Sequence, residues 1–147
     1  MKTTFIVLFF SGLLLINLSC KKDNTGNNGP VSTDPAVLIL GKWQVIKDSI
    51  VVHNFAFSDG TIPIPGVYFG TANDHWLFQT NSTVYIYEGG ALGTFAYQLP
   101  SSSRLLIPSF AWGDISILKL TSTNFIWEKS ITSSNGGTYY RRAYLKK

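Results

Sequence analysis

Asp74-His75-Trp76-Leu77-Phe78-Gln79-Thr80-Asn81-Ser82-Thr83-Val84-Tyr85-Ile86-Tyr87-Glu88 is the stretch that decides the fold. Two runs rich in aromatic and β-branched residues, Asp74–Thr80 and Thr83–Glu88, flank the short polar turn Asn81-Ser82. Such runs bounded by turn residues form strands, and their spacing makes them a hairpin. Trp76 and Phe78 fall two apart and so share one face of their strand.

The same reading extends in both directions. Upstream, Trp43–Val52 is a strand rich in Val and Ile. Downstream come Gly93–Leu99 and Arg104–Ile107, split by Pro100-Ser101-Ser102-Ser103. Asp114–Leu120 and Asn124–Ile131 are joined at Thr121-Ser122-Thr123, and Thr138–Lys146 follows the turn Ser133-Ser134-Asn135-Gly136-Gly137. Phe95, Tyr97 and Leu99 share a face, as do Phe125, Trp127 and Ile131, interrupted only by Lys129. Ala36–Leu40 precedes the strands; Asp34 at an N-cap and Pro35 at the first helical position predict one helical turn there, ended by Gly41. Eight strands at regular spacing, with no helix-length amphipathic stretch, predict an all-β fold, a sandwich or an up-and-down barrel. One connection is out of scale. His53–Asn73 separates the first two strands by about twenty residues where hairpins use 2–5. It carries Phe55, Phe57, Ile62, Ile64, Val67, Tyr68 and Phe69, with Pro63 and Pro65 restraining it. Side chains that apolar are expected to cover one end of the barrel.

Composition agrees. Aromatic residues make up 14% of the 147 and charged residues only 14%, against about 25% charged in ordinary soluble domains. The formal charge is +4, concentrated at Lys21-Lys22 and at Arg141, Arg142, Lys146 and Lys147. No basic stripe is interleaved with aromatics, so nucleic-acid binding is not expected.

Cysteine occurs once, at Cys20, so no internal disulfide is available. Its position defines it. After the positive Lys2, the mostly apolar run Phe5–Leu18 ends just before it, the pattern of an export signal, and the run is short of the roughly 20 residues that span a bilayer. Leu18-Ser19-Cys20 closely resembles the lipobox of bacterial lipoproteins. The resemblance implies diacylglycerol transfer to the Cys20 sulfur, cleavage before Cys20 and acylation of the new amine. Several acyl chains are what stable anchoring needs, because a single chain holds a protein only reversibly. The expected organisation is thus a signal peptide over 1–19, the lipidated Cys20 with a flexible tether over 20–35, and a barrel domain over 36–147. The tether is rich in Asn, Gly and Pro and has almost nothing to bury; it reaches roughly 20 Å. The implied location is the cell envelope, lipid-anchored in the outer membrane and facing the periplasm or the cell exterior, with the membrane as partner through Cys20.

The ordered elements from residue 36 to 147 resemble the lipocalin-like domains of bacterial lipoproteins, and the resemblance implies an eight-stranded antiparallel up-and-down barrel. A helical turn leads into Gly41-Lys42-Trp43, matching the Gly-x-Trp signature that opens a lipocalin's first strand, and a long first loop follows. Leu120-Thr121-Ser122-Thr123-Asn124-Phe125-Ile126-Trp127 and an Arg-containing final strand complete the match. In that family the Trp plugs the closed end beneath a stacked Arg, which implies Trp43 with Arg141 or Arg142 in a structural plug. The family's usual disulfide cysteines are missing.

Catalytic apparatus is not visible, and no cofactor is expected. His53 and His75 are the only histidines; a zinc site needs three or four ligands, and Asp74 beside His75 points to the opposite face of its strand. Glu88 and Glu128, the only glutamates, sit on separate strands, and no Gly-x-Ser-x-Gly elbow occurs. Asn81-Ser82-Thr83 fits an N-glycan sequon, and Asp48-Ser49-Ile50 looks like a short O-glycosylation motif; both are better read as turn and strand. Two functions fit. In the first, the barrel binds a small hydrophobic ligand at its open end, lined by Phe55, Phe57, Tyr68, Trp76, Phe78, Phe95, Tyr97 and Trp127. In the second, the aromatics fill the interior and an outer face binds a protein or glycan, with exposed aromatics such as Trp112 or Tyr87 as contacts.

Overall fold

A computed structural model describes residues 32–110 and 113–147. Cys20, the expected export signal and the expected tether as far as residue 31, together with Trp112, lie outside the described residues. Among those residues no helix is long and apolar enough to cross a membrane.

The chain begins with α1 (Pro35–Leu38), where the Asp34 side chain accepts from the Ala36 amide at 2.9 Å and Pro35 opens the turn, as the cap residues predict. Strands follow: β1 (Gly41–His53), β2 (Gly66–Phe69), β3 (His75–Phe78), β4 (Thr83–Glu88), β5 (Ala91–Ala96), β6 (Gln98–Ser101), β7 (Arg104–Leu106), β8 (Asp114–Leu120), β9 (Asn124–Thr132) and β10 (Thr138–Lys146). All pairings are antiparallel, in the order β5-β4-β3-β1-β10-β9-β8-β7-β6, with β2 on β1. β5 and β6, the two ends of that order, are separated in the chain only by Tyr97, so the sheet curls into a nearly closed barrel.

The strand count corrects the expected eight to ten, and both additions have local causes. The run expected over Gly93–Leu99 is longer and divides at Tyr97, whose amide makes one more bond beyond the last β4–β5 pair, to the Ser82 carbonyl at 2.8 Å; β5 pairs β4 on one side of Tyr97 and β6 pairs β7 on the other. The long connection 53–73 also contains a strand. β2 pairs Lys47–Ile50 of β1 while β3 pairs Gly41–Gln44, so the two lie end to end along one neighbour. Gly70 sits at the break, where a Cβ would come within 2.0 Å of the Val45 carbonyl oxygen; only glycine lets the backbones approach so closely.

The expected cover over the barrel's end is only partly realised. Phe55 is buried and packs with Phe57 on Tyr139, at 5.7 and 5.5 Å between ring centres. Ile62, Ile64, Val67 and Phe69 instead stay exposed. Val67 and Phe69 stand opposite Ser49 and Lys47 on the outward side of β1, which is why they do not reach the core.

The interior is a solid aromatic stack. Trp43, Trp76, Trp127 and Phe125 are fully buried, with Phe78 nearly so. Trp76 lies 5.4 Å from Trp127 and 6.0 Å from Phe78, and Trp43 meets Phe125 edge-on at 5.6 Å. Such geometries add to area burial. At the α1 end Trp43 donates from Nε1 to the Ile39 carbonyl at 2.6 Å. The plug differs from expectation: the cation over Trp43 is Lys147, 4.4 Å from the ring centre, with its Nζ donating to the Leu38 carbonyl at 2.8 Å. Arg141 lies over Trp127 and Arg142 over Tyr140, each at 5.3 Å.

Candidate functional site

The eight residues expected to line a binding site are not brought together. Trp76, Phe78, Tyr97 and Trp127 belong to the packed core. Phe55 and Phe57 join Tyr139. Tyr68 on β2 stays exposed, and its hydroxyl donates to Asp74 at 2.7 Å. Tyr97 also lines a cleft of about 420 Å³ beside α1, with Ala36, Ile39 and Leu99. Phe95 lines a different open cleft. It stands with Phe110, 5.1 Å away, and with Ile86, Glu88, Ala91, Leu92 and Gly93 around a space of about 290 Å³ at the barrel mouth. This cleft, and two of about 420 Å³ elsewhere among the described residues, open to solvent.

Local chemistry builds this mouth. Strands β4 and β5 turn through Gly89-Gly90, both at positive φ, so Glu88 and Ala91 face each other across the tightest part of the hairpin. Phe95 folds its ring back over Gly93; a Cβ there would lie 2.4 Å from the ring. Phe110 arrives on the segment after β7, held by hydrogen bonds from its amide to Ile107 and from Gly113 to its own carbonyl, both 2.9 Å. It meets Trp76 edge-on at 5.9 Å and so closes the way into the stack.

Glu88 is the cleft's charged group. Its Oε1 accepts from Trp76 Nε1 at 2.6 Å, and its Oε2 from Arg141 Nη2 at 3.0 Å. Arg141 also donates from Nε to Asp48 Oδ2 at 2.6 Å, with Asp48 and Arg141 both buried. Burial works against the Arg141 charge, but the hydrogen bond and charge of Asp48, then Glu88, outweigh it and raise its pKa. Asp48 reaches the interior because β1 bulges between Val45 and Lys47. The extra residue shifts the alternation by one, since side-chain faces alternate with period two. No sequence signal marks that bulge, and the network went unread for that reason.

A third carboxylate supports the hairpin from below. Asp74 is buried and accepts from Thr71, Tyr68 and the Gly89 amide. The Thr71 hydroxyl first, and the Tyr68 hydroxyl second, hold its carboxyl well below the usual carboxylate range. Among the described residues no group of three or more His, Cys, Asp or Glu is placed to hold a metal.

No family model matches the chain, and no curated protein does. Among solved structures, it is similar to a deswapped triple mutant of bovine odorant binding protein, at 11% identity and a TM-score of 0.39 over 73% of this chain and 72% of that one.

Proposed function

We propose that this chain is an envelope-anchored lipoprotein whose lipocalin-like barrel binds a small hydrophobic ligand at its mouth, without catalysis. The observation that carries the reading is the cleft lined by Phe95 and Phe110: apolar walls, one fixed carboxylate, and a volume of about 290 Å³. Binding sites are mostly apolar with few placed polar groups and start near roughly 300 Å³, so the ligand is small, on the scale of a single ring with a short chain. The solid core supports placing it at the mouth rather than deep inside.

Titration with phenyl-bearing probes tests this through Trp fluorescence, because Trp76 touches both Phe110 and Glu88. Ala91→Trp, at an exposed position on the cleft wall, should abolish the response without unfolding the barrel. Binding unaffected by that change would place the ligand elsewhere. Anchoring is supported by Leu18-Ser19-Cys20 and is tested separately: Cys20→Ser should leave the precursor uncleaved and without acyl chains by intact mass.

A second reading, an interaction module, draws on exposed Ile62, Ile64 and Phe69. It would be favoured if probes fail while Phe69→Lys removes association with an envelope protein.

A further inference from the structure

Around Arg141 the mouth holds more acceptors than donors. Two carboxylates, Asp48 and Glu88, share one buried guanidinium. Each oxygen of Glu88 has one donor, Trp76 Nε1 or Arg141 Nη2, and a carboxylate offers about four acceptor positions. Beyond Arg141, Asp48 Oδ1 is buried with no hydrogen-bond partner among the described residues. The neighbouring cation does not redress the balance: Lys129, opposite Arg141 in the β9–β10 ladder, donates from Nζ to the Asp114 carbonyl at 2.6 Å. Arg104 likewise is committed to Asp114 at 2.8 Å. The side chain of Glu88 keeps 22% of its surface open, and it is the member of this network that lines the cleft.

We propose that the mouth cleft selects a protonated amine on a short apolar skeleton, its ammonium donating to Glu88 and its ring lying against the paired Phe95 and Phe110 rings. The inference rests on the mouth-binding reading above and names its ligand class. A carboxylate of the same skeleton meets the opposite situation. It would bring a negative charge beside Glu88, while Arg141, the one cation there, already holds two carboxylates. Charge-assisted hydrogen bonds are about twice as strong as neutral ones, and the partly enclosed cleft screens them less than open water does. The expected order is therefore amine, then alcohol, then carboxylate.

The test compares 3-phenylpropylamine, 3-phenylpropanol and 3-phenylpropionate at neutral pH on the full chain, with Ala91→Trp as the blocked control to subtract partition elsewhere. The expected result is a Kd for the amine roughly tenfold or more below that of the carboxylate, a preference worth about 1.4 kcal/mol per factor of ten. Glu88→Gln should collapse the ratio towards one. Should that variant fail to fold, Leu92→Lys, at an exposed position on the cleft rim, should shift the preference towards the carboxylate. Equal binding of all three, or tightest binding of the carboxylate, with each lost in Ala91→Trp, overturns the amine inference and leaves mouth binding standing. No binding, or binding indifferent to Ala91→Trp, overturns both.

Discussion

Arg141 and Asp48 form an ion pair in the one place where a barrel can least tolerate a lone charge. Removing one partner of a buried pair costs about 3–5 kcal/mol, while replacing both by apolar groups is often neutral. Asp48→Ala should thus destabilise the protein by about that amount in urea unfolding followed by Trp fluorescence. Asp48→Leu combined with Arg141→Met should recover most of it. If the double replacement is as unstable as the single one, packing rather than charge is what Asp48 supplies. Asp74 gives a different kind of prediction, in pH. Its folded pKa is depressed below the unfolded value of about 3.9. Its contribution is therefore complete above about pH 4 and is lost as the pH falls from there towards the folded value. Thr71→Val deletes the hydroxyl that depresses it most. The variant should be less stable than wild type at pH 7, and the gap should narrow on acidification to about pH 2.5, read from urea midpoints at the two pH values. A gap that is constant with pH would mean that the Thr71 hydroxyl stabilises the turn without acting through the Asp74 charge.

Strand interruptions, more than the strands themselves, position the site. Gly70 separates β2 from β3 by letting the chain pass against the Val45 carbonyl, with Gly70 itself donating to the Ile46 carbonyl at 3.3 Å. Gly70→Ala forces that rigid backbone contact apart and should cost about 1–3 kcal/mol. The loss should appear first as faster hydrogen exchange in the amides of β2, while β9 and β10 stay protected. A uniform change across the barrel would show that β2 is not an independently opening element. Much at this scale was legible from residues alone. The hairpin around Asn81-Ser82, the turn capped by Asp34 and Pro35, and the strands β8 to β10 follow from alternation and turn chemistry, which are local. What escaped reading is what pairing decides. The bulge after Val45 turns Asp48 inward, the break at Tyr97 divides one strand into two, and β2 presents apolar Val67 and Phe69 to solvent though their composition predicts burial. The cation over Trp43, expected on the final strand, is Lys147 just past the end of β10, because Arg141 and Arg142 lie farther along that strand from Trp43. Of the expected lining, only Phe95 reaches the cleft; Phe110 and Glu88 were missed, since nothing local ties a loop phenylalanine or a strand-end glutamate to one mouth.

At the level of the whole molecule, the question is where a ligand fits in a barrel whose interior is already filled by its own rings. Two substitutions separate the possibilities. Trp127 is fully buried against Trp76, so Trp127→Ala removes a core side chain and should cost about 3–5 kcal/mol, leaving a void that the surrounding rings partly collapse into. Phe110 is only half-buried and sits between the stack and the mouth. Phe110→Ala should cost less, because part of the space it vacates is already open to water, and should widen the cleft towards Trp76. A bicyclic naphthyl amine has a wider rigid ring system than a phenyl probe, and Phe110 limits the room for it beside Phe95 in the cleft of about 290 Å³. It should bind weakly to wild type and clearly more tightly to Phe110→Ala by equilibrium dialysis, with Trp127→Ala showing no gain. The reverse pattern, a gain in Trp127→Ala and none in Phe110→Ala, would put the ligand volume inside the barrel and make the mouth only its entrance.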